Sequence, residues 1–303
     1  MRPTKIRRKG DKSELIFYSL LIALPLLQIC IFYFYVNFNS ILLSFQKYSK
    51  VTDTFTFDFG VNFSEIWYDL TKQTILLDAF KNSVIVWIFT SGLGTFLSIL
   101  FSYYIFKKWP GAKTFKFFLF LPTVLPSILL VGVYNFFVTD AVPGYMGEIF
   151  NIKIQPLFSY KSVLPPVIFF NVLTCFGAQL LIYTGAMDQI APEVLEAGQV
   201  DGVTSTREFF SIVLPMILPT ISTFIVASVA TLFTNQANLF SFFGNSGVNL
   251  TTNDYTLGYY LFMLVERDGE SSYTYASALG IICTMIAFPL TMFVRWLLNK
   301  GEA

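Results

Sequence analysis

No histidine occurs anywhere in the 303-residue chain. Its absence removes the commonest general base, the commonest metal ligand and the usual proton shuttle near neutral pH. Cysteine is scarce: Cys30, Cys175 and Cys283 each stand inside a strongly apolar stretch and share no metal-ligand spacing. They read as small buried apolar residues. Charge is scarce too. Asp, Glu, Lys and Arg make up 13% of the chain, against about 25% in a soluble globular domain. Apolar residues reach 54% and aromatic residues 18%, more than polar groups could cover in water, so lipid must cover this chain. The net charge of +1 identifies no partner, nucleic acid included.

Motifs are missing as well. There is no G-x-x-x-x-G-K-[ST] phosphate loop; Gly111-Ala112-Lys113-Thr114 lacks the first glycine and the spacing. The chain should therefore not bind ATP itself. No G-x-S-x-G nucleophile motif is present. With no histidine and no metal cluster, a membrane-embedded enzyme has nothing to work with.

What is present is length without charge. A hydrocarbon core of about 30 Å needs roughly 20 apolar residues of helix. Six stretches meet that length, at about 15–36, 83–106, 117–138, 163–187, 211–236 and 276–298, and the middle four hold no charged residue. Pro122, Pro126, Pro165, Pro166, Pro215 and Pro219 predict kinked, closely packed helices rather than straight rods. The first stretch follows a basic leader (Arg2, Lys5, Arg7, Arg8, Lys9, Lys12), but it is too long for a signal-peptide core and no small-x-small site closes it. It reads as an uncleaved span.

Lysine and arginine set the orientation. With the N-terminus inside, the segments 1–14, 107–116, 188–210 and 299–303, with Arg295, carry 13 of the 20 basic residues. The expectation is an all-α membrane protein with about six spans and both termini cytoplasmic. Its parts are a basic tail (1–14), a first span (15–36), an outer loop (37–82), a core (83–298) and a short end (299–303). The other outer loops, about 139–162 and 237–275, are aromatic-rich candidates for protein contact.

One inner loop, 188–210, is unlike the others. Pro192 suits the first helical position, with Glu193 and Glu196 near the positive end of the helix. Val194, Leu195, Ala197 and Val200 give a short helix one apolar face, and Asp201-Gly202 stops it with a left-handed cap. Ser205 with Glu208 reads as a capping box for a second helix running into the fifth span. By these signals alone the segment is an amphipathic connector.

Its letters add more. Glu196-Ala197-Gly198 is followed, after three intervening residues, by Gly202, and after nine more by Ile212, Leu214 and Pro215. This resembles the EAA loop of ABC-importer permeases, with Gly198 in place of the second alanine. Asn39 to Phe45, Leu121-Pro122 and Tyr275-Ala276-Ser277-Ala278 are similar to the carbohydrate branch of that family, the maltose and glycerol-phosphate type, and to its first permease. The resemblance implies a short cytoplasmic coupling helix between spans four and five. Glu193, Glu196, Ala197, Gly198, Asp201 and Gly202 would sit in a cleft of a separate ATPase dimer, which would hold ATP and Mg while this chain carries no cofactor. A second homologous permease and an extracytoplasmic solute-binding protein would complete the complex in the plasma membrane.

Neutral polar residues lie on or near spans three to five: Asn135, Asn171, Thr174, Gln179, Tyr183, Ser228, Thr234, Asn235, Gln236 and Asn238. Such groups suit a sugar, since they donate and accept hydrogen bonds without the desolvation cost of a charge. They equally serve as glue between helices. Tyr183 and Phe233 could stack on sugar faces. The resemblance places Asn171, Thr174, Ser228 and Asn235 where the family lines its sugar site. Leu173, Cys175, Ala178 and Leu232 fall on further site positions but are apolar or small here, so the family's specificity does not carry over. A self-sufficient secondary transporter, and an ABC permease for a non-sugar solute, are the competing readings. The loop spacing and the lack of intramembrane acids speak against the first, and the uncharged polar set against the second.

Overall fold

The structure is a computed structural model that describes residues 12–50, 52–150, 162–244 and 254–302. The basic leader up to residue 11, residues 151–161 of the 139–162 loop and residues 245–253 lie outside the described residues. Helices dominate, and two compact units are distinguished: residues 1–64 with 270–281, and residues 65–269 with 282–303.

In the first unit, helix Ile16–Ser44 runs 29 residues, past the expected end at 36, with mean hydropathy 2.1 and none of its most apolar stretch buried. A helix apolar on every side belongs in lipid. The expected outer loop carries regular structure among its described residues. Strands Gln46–Ser49 and Thr54–Phe57 pair antiparallel, Gln46 opposite Phe57 and Ser49 opposite Thr54. The Tyr48 hydroxyl donates to Asp53, which turns the hairpin at a positive φ of 52°. Asn62 Nδ2 then donates to Ser44 O and Gln46 O, both at 2.8 Å, satisfying a carbonyl the helix end leaves unpaired.

The second unit holds the core spans. Helices Thr74–Phe106 and Leu164–Met187 pass the length and hydropathy test as single spans. Pro165 and Pro166 sit in the first turn of the second of these, where the missing N–H groups cost nothing. The third span differs from the expected 117–138. Helix Ala112–Val124 stops, Leu125 and Pro126 are extended, and a new helix begins at Ser127. The residue before a proline is driven out of the helical region by its ring, so Leu125–Pro126 breaks the rod. Ser127–Tyr145 is then the apolar helix of spanning length. Close crossing fits Gly177, where an added Cβ would lie 1.4 Å from Thr123 Oγ1.

The fifth span is broken as well. Ser205–Met216 and Leu218–Ala230 meet at 66°, with Ile217 leaving helical geometry between Pro215 and Pro219. Each proline withholds a hydrogen bond that a straight helix would need. With Glu270–Lys300, the described chain has five helices able to cross a membrane, or six with the bent pair as one.

Candidate functional site: the loop between the fourth and fifth spans

Helix Pro192–Val200 opens with its proline after extended Ala191 and carries Glu193 in its first turn. It closes as a Schellman motif: Val203 N–H donates to Gly198 O and Gly202 N–H to Gln199 O, each at 3.0 Å. Gly202 has φ 72°, which a side chain would strain.

The apolar residues of this helix do not form the single face expected from the sequence. Leu195 turns inward, onto a cluster of Ile99, Tyr103, Met187, Ile190, Phe209 and Val213. Gly198 is buried, and an added Cβ there would meet Ile212 Cδ1 at 3.0 Å. Val194 and Val200 point away, 39% and 88% exposed. Glu193, Glu196, Ala197, Asp201 and Gly202 are exposed with them. The physical reason is helical spacing: 195 and 198 share one face, and 194, 197 and 200–201 another. The segment is thus anchored by two residues and presents small, apolar and acidic groups outward.

The exit of the loop departs from the expected capping box. Thr204 is the N-cap, without a side-chain bond, and Glu208 is turned into the protein. Its carboxylate accepts from Lys107 Nζ at 3.0 and 3.1 Å and from the Tyr103 hydroxyl at 3.3 Å. The single Tyr103 hydroxyl proton is shared with Ser205 O, the nearer acceptor at 2.9 Å, and the ring lies 4.9 Å from that of Phe209. Sequence reasoning missed this ion pair. Glu208 stands at the head of a long uncharged, mostly apolar run, a position that needs a counter-charge, and that was the available signal.

The polar residues of the spans are tied into specific bonds. Asn171 Nδ2 donates to Val167 O and to Ala237 O, and its Oδ1 accepts from Asn238 Nδ2 at 2.8 Å. Asn235 is exposed and its Oδ1 accepts from Ala237 N–H at 2.8 Å. Ala237 and Asn238 have positive φ, 50° and 58°, so these side chains stabilise a turn that the backbone alone would resist. Asn171 and Asn235 therefore meet at one turn. Thr174 stands a helical turn from Asn171 and donates to Phe170 O at 3.0 Å. Ser228 has a different neighbour: it accepts from Trp87 Nε1 at 3.1 Å and donates to Ile225 O. Gln179 accepts from Ser98 across two spans at 3.2 Å. The two aromatics expected to stack on a sugar are inaccessible. Tyr183 is fully buried in the cluster beneath the loop, and Phe233 packs edge-on against Phe80 at 5.3 Å.

Among curated proteins, the chain is similar to the multiple sugar-binding transport system permease protein MsmF of Streptococcus mutans, 24% identical over 86% of this chain and 88% of that one. It is also similar to the glucose import system permease protein GlcT of Saccharolobus solfataricus, 24% identical over 84% and 90%. Among solved structures it shares its fold with a chain of a bacterial alginate ABC transporter in complex with an alginate pentasaccharide-bound periplasmic protein. There the TM-score is 0.74 at 18% identity, covering 96% of each chain. The family model for the inner membrane component of binding-protein-dependent transport systems matches residues 4–300. Together with the apolar helices and the anchored loop described above, that match makes this chain a member of the binding-protein-dependent transport system inner membrane component family.

Proposed function

We propose that this chain is the permease through which an ATP-driven importer moves a sugar or oligosaccharide across the plasma membrane, and that it is not itself an enzyme. The observation that carries the reading is the outward face of helix Pro192–Val200. Val200 at 88% exposed and Val194 at 39% leave apolar surface that water disfavours, beside the acidic Glu193 and Glu196. A partner surface that accepts this ridge would cover it, and the half-buried Leu195 and the buried Gly198 would pass its movement to the core. That partner is an ATPase subunit dimer holding ATP and Mg; this chain carries no cofactor. The loop and both termini would face the cytoplasm, where the basic residues concentrate.

The neutral residues around the 235–238 turn favour an uncharged polyol over an ion, and names such as MsmF and GlcT, borne by sugar permeases, agree with that choice. Asn171, Thr174, Ser228 and Asn235 would bind the saccharide. Helix Ile16–Ser44, unburied along its most apolar stretch, leaves room for a second homologous permease as well as lipid, and a solute-binding protein would deliver cargo from outside.

The test is purification of the tagged complex, with identification of its chains and uptake assays over a glycan panel. Recovery of an ATPase and a second permease is expected, with one glycan class transported. A Val200→Asp variant that folds as well as its parent should lose the ATPase. Full retention of that subunit would show that this face is not where it docks.

A further inference from the structure

Resting on that coupling role, we infer that the loop drives the second span as well as the fifth, and that Lys107 and Glu208, braced by Tyr103, form the strut. These are positioning residues; none of them lies on the exposed docking face. The helix that leaves the loop is not a straight rod into the fifth span. It passes through a π-helical turn, Phe209–Val213, and then bends by 66° at Ile217. A push along Ser205–Met216 is therefore not directed along Leu218–Ala230, and part of it must be taken up sideways.

What lies sideways is the end of the second span. Lys107, immediately after helix Thr74–Phe106, holds both oxygens of Glu208 at 3.0 and 3.1 Å. Tyr103, one turn earlier, grips the Ser205 carbonyl and the same carboxylate at 2.9 and 3.3 Å. The Glu208 side chain is 5% exposed and that of Lys107 20%. A pair so withdrawn from water holds its geometry tightly, because any sliding that separates it leaves the Glu208 carboxylate without a substitute partner. Ile99 and Tyr103 of the second span also share one apolar cluster with Phe209, Val213 and Ile217. The loop exit and this end of the second span thus move as one piece. A buried pair is weak as a source of stability and well suited to fixing register, which is what a strut requires.

The test uses the assembled importer in nanodiscs, with Cys30, Cys175 and Cys283 replaced by alanine. Nitroxide labels at Leu77→Cys and Thr231→Cys mark the ends of the two spans remote from the loop. Their separation is measured without nucleotide and after trapping with ATP and vanadate. In the parent it should change. Glu208→Gln should abolish most of that change while the ATPase still co-purifies and hydrolyses ATP. The reversed pair, Lys107→Glu with Glu208→Lys, should restore at least half of it. A full vanadate-dependent change in Glu208→Gln, or a loss that the reversed pair does not restore, would overturn the strut. A parent complex that keeps its ATPase yet shows no change at all would overturn the coupling role itself, and the strut with it.

Discussion

The second unit is fastened at its two ends by opposite chemistry. Beside the loop, one ion pair and a hydroxyl hold the second span to the fifth: Lys107, Glu208 and Tyr103. At the far end neutral donors do most of the fastening. Asn82 donates to Tyr255 O at 3.0 Å, Leu257 N–H donates to Ser83 Oγ at 2.8 Å, and Asp254 accepts from Ser162 Oγ at 2.6 Å and from Val163 N–H. Asp254 there takes the Val163 N–H at the start of helix Leu164–Thr174, where a carboxylate is favoured. A charge pair fixes one register and releases all at once. Dispersed neutral bonds can be lost one by one.

Substitutions at five positions test that contrast. The largest effect is expected from Lys107→Met, which leaves the nearly buried Glu208 without its cation. Removing one partner of a buried pair costs about 3–5 kcal/mol, read as a fall in the unfolding temperature of the purified protein. Glu208→Gln should cost less, because Lys107 is 20% exposed and can still reach water; equal losses would refute that asymmetry. At the far end, Asp254→Ala removes a cap and should cost about 1–2 kcal/mol in the same melt, with Asp254→Asn recovering part of it.

Asn235→Ala comes next. It removes the acceptor for Ala237 N–H at about 1 kcal/mol, and uptake by the assembled importer should drop further than that loss explains. Unchanged uptake kinetics would take Asn235 out of the solute site. Smallest is Gly198→Ala. Its Cβ would meet only the tip of Ile212, at 3.0 Å, and the helix gains about 1 kcal/mol of propensity. Stability should hold or rise slightly, whereas a large drop would mean that Ile212 cannot give way.

Different parts of the site were legible to different depths. Pro192 and Gly202 could be read directly, because each obeys a constraint local to its own backbone. The direction of Val200 could not: its spacing from Val194 and Ala197 says that they share a face and nothing about which way that face looks. Tyr183 misled for a similar reason. A phenol in a span suits a sugar or a packed core equally, and only the arrival of Ile99, Met187 and Phe209 around it decides. Glu208 reads as a cap because three-residue spacing from Ser205 is a local signal, while Lys107 lies 101 positions away.

By itself, then, the sequence determined what depends on neighbours along the chain: that lipid surrounds the protein, how many apolar rods it has, where prolines interrupt them and where one short helix begins and ends. Tertiary structure alone decided which face of that helix is anchored, which carboxylate is paired and which hydroxyls are out of reach. Those outcomes depend on distances between segments remote in sequence, and residue spacing along one strand of chain carries no record of them.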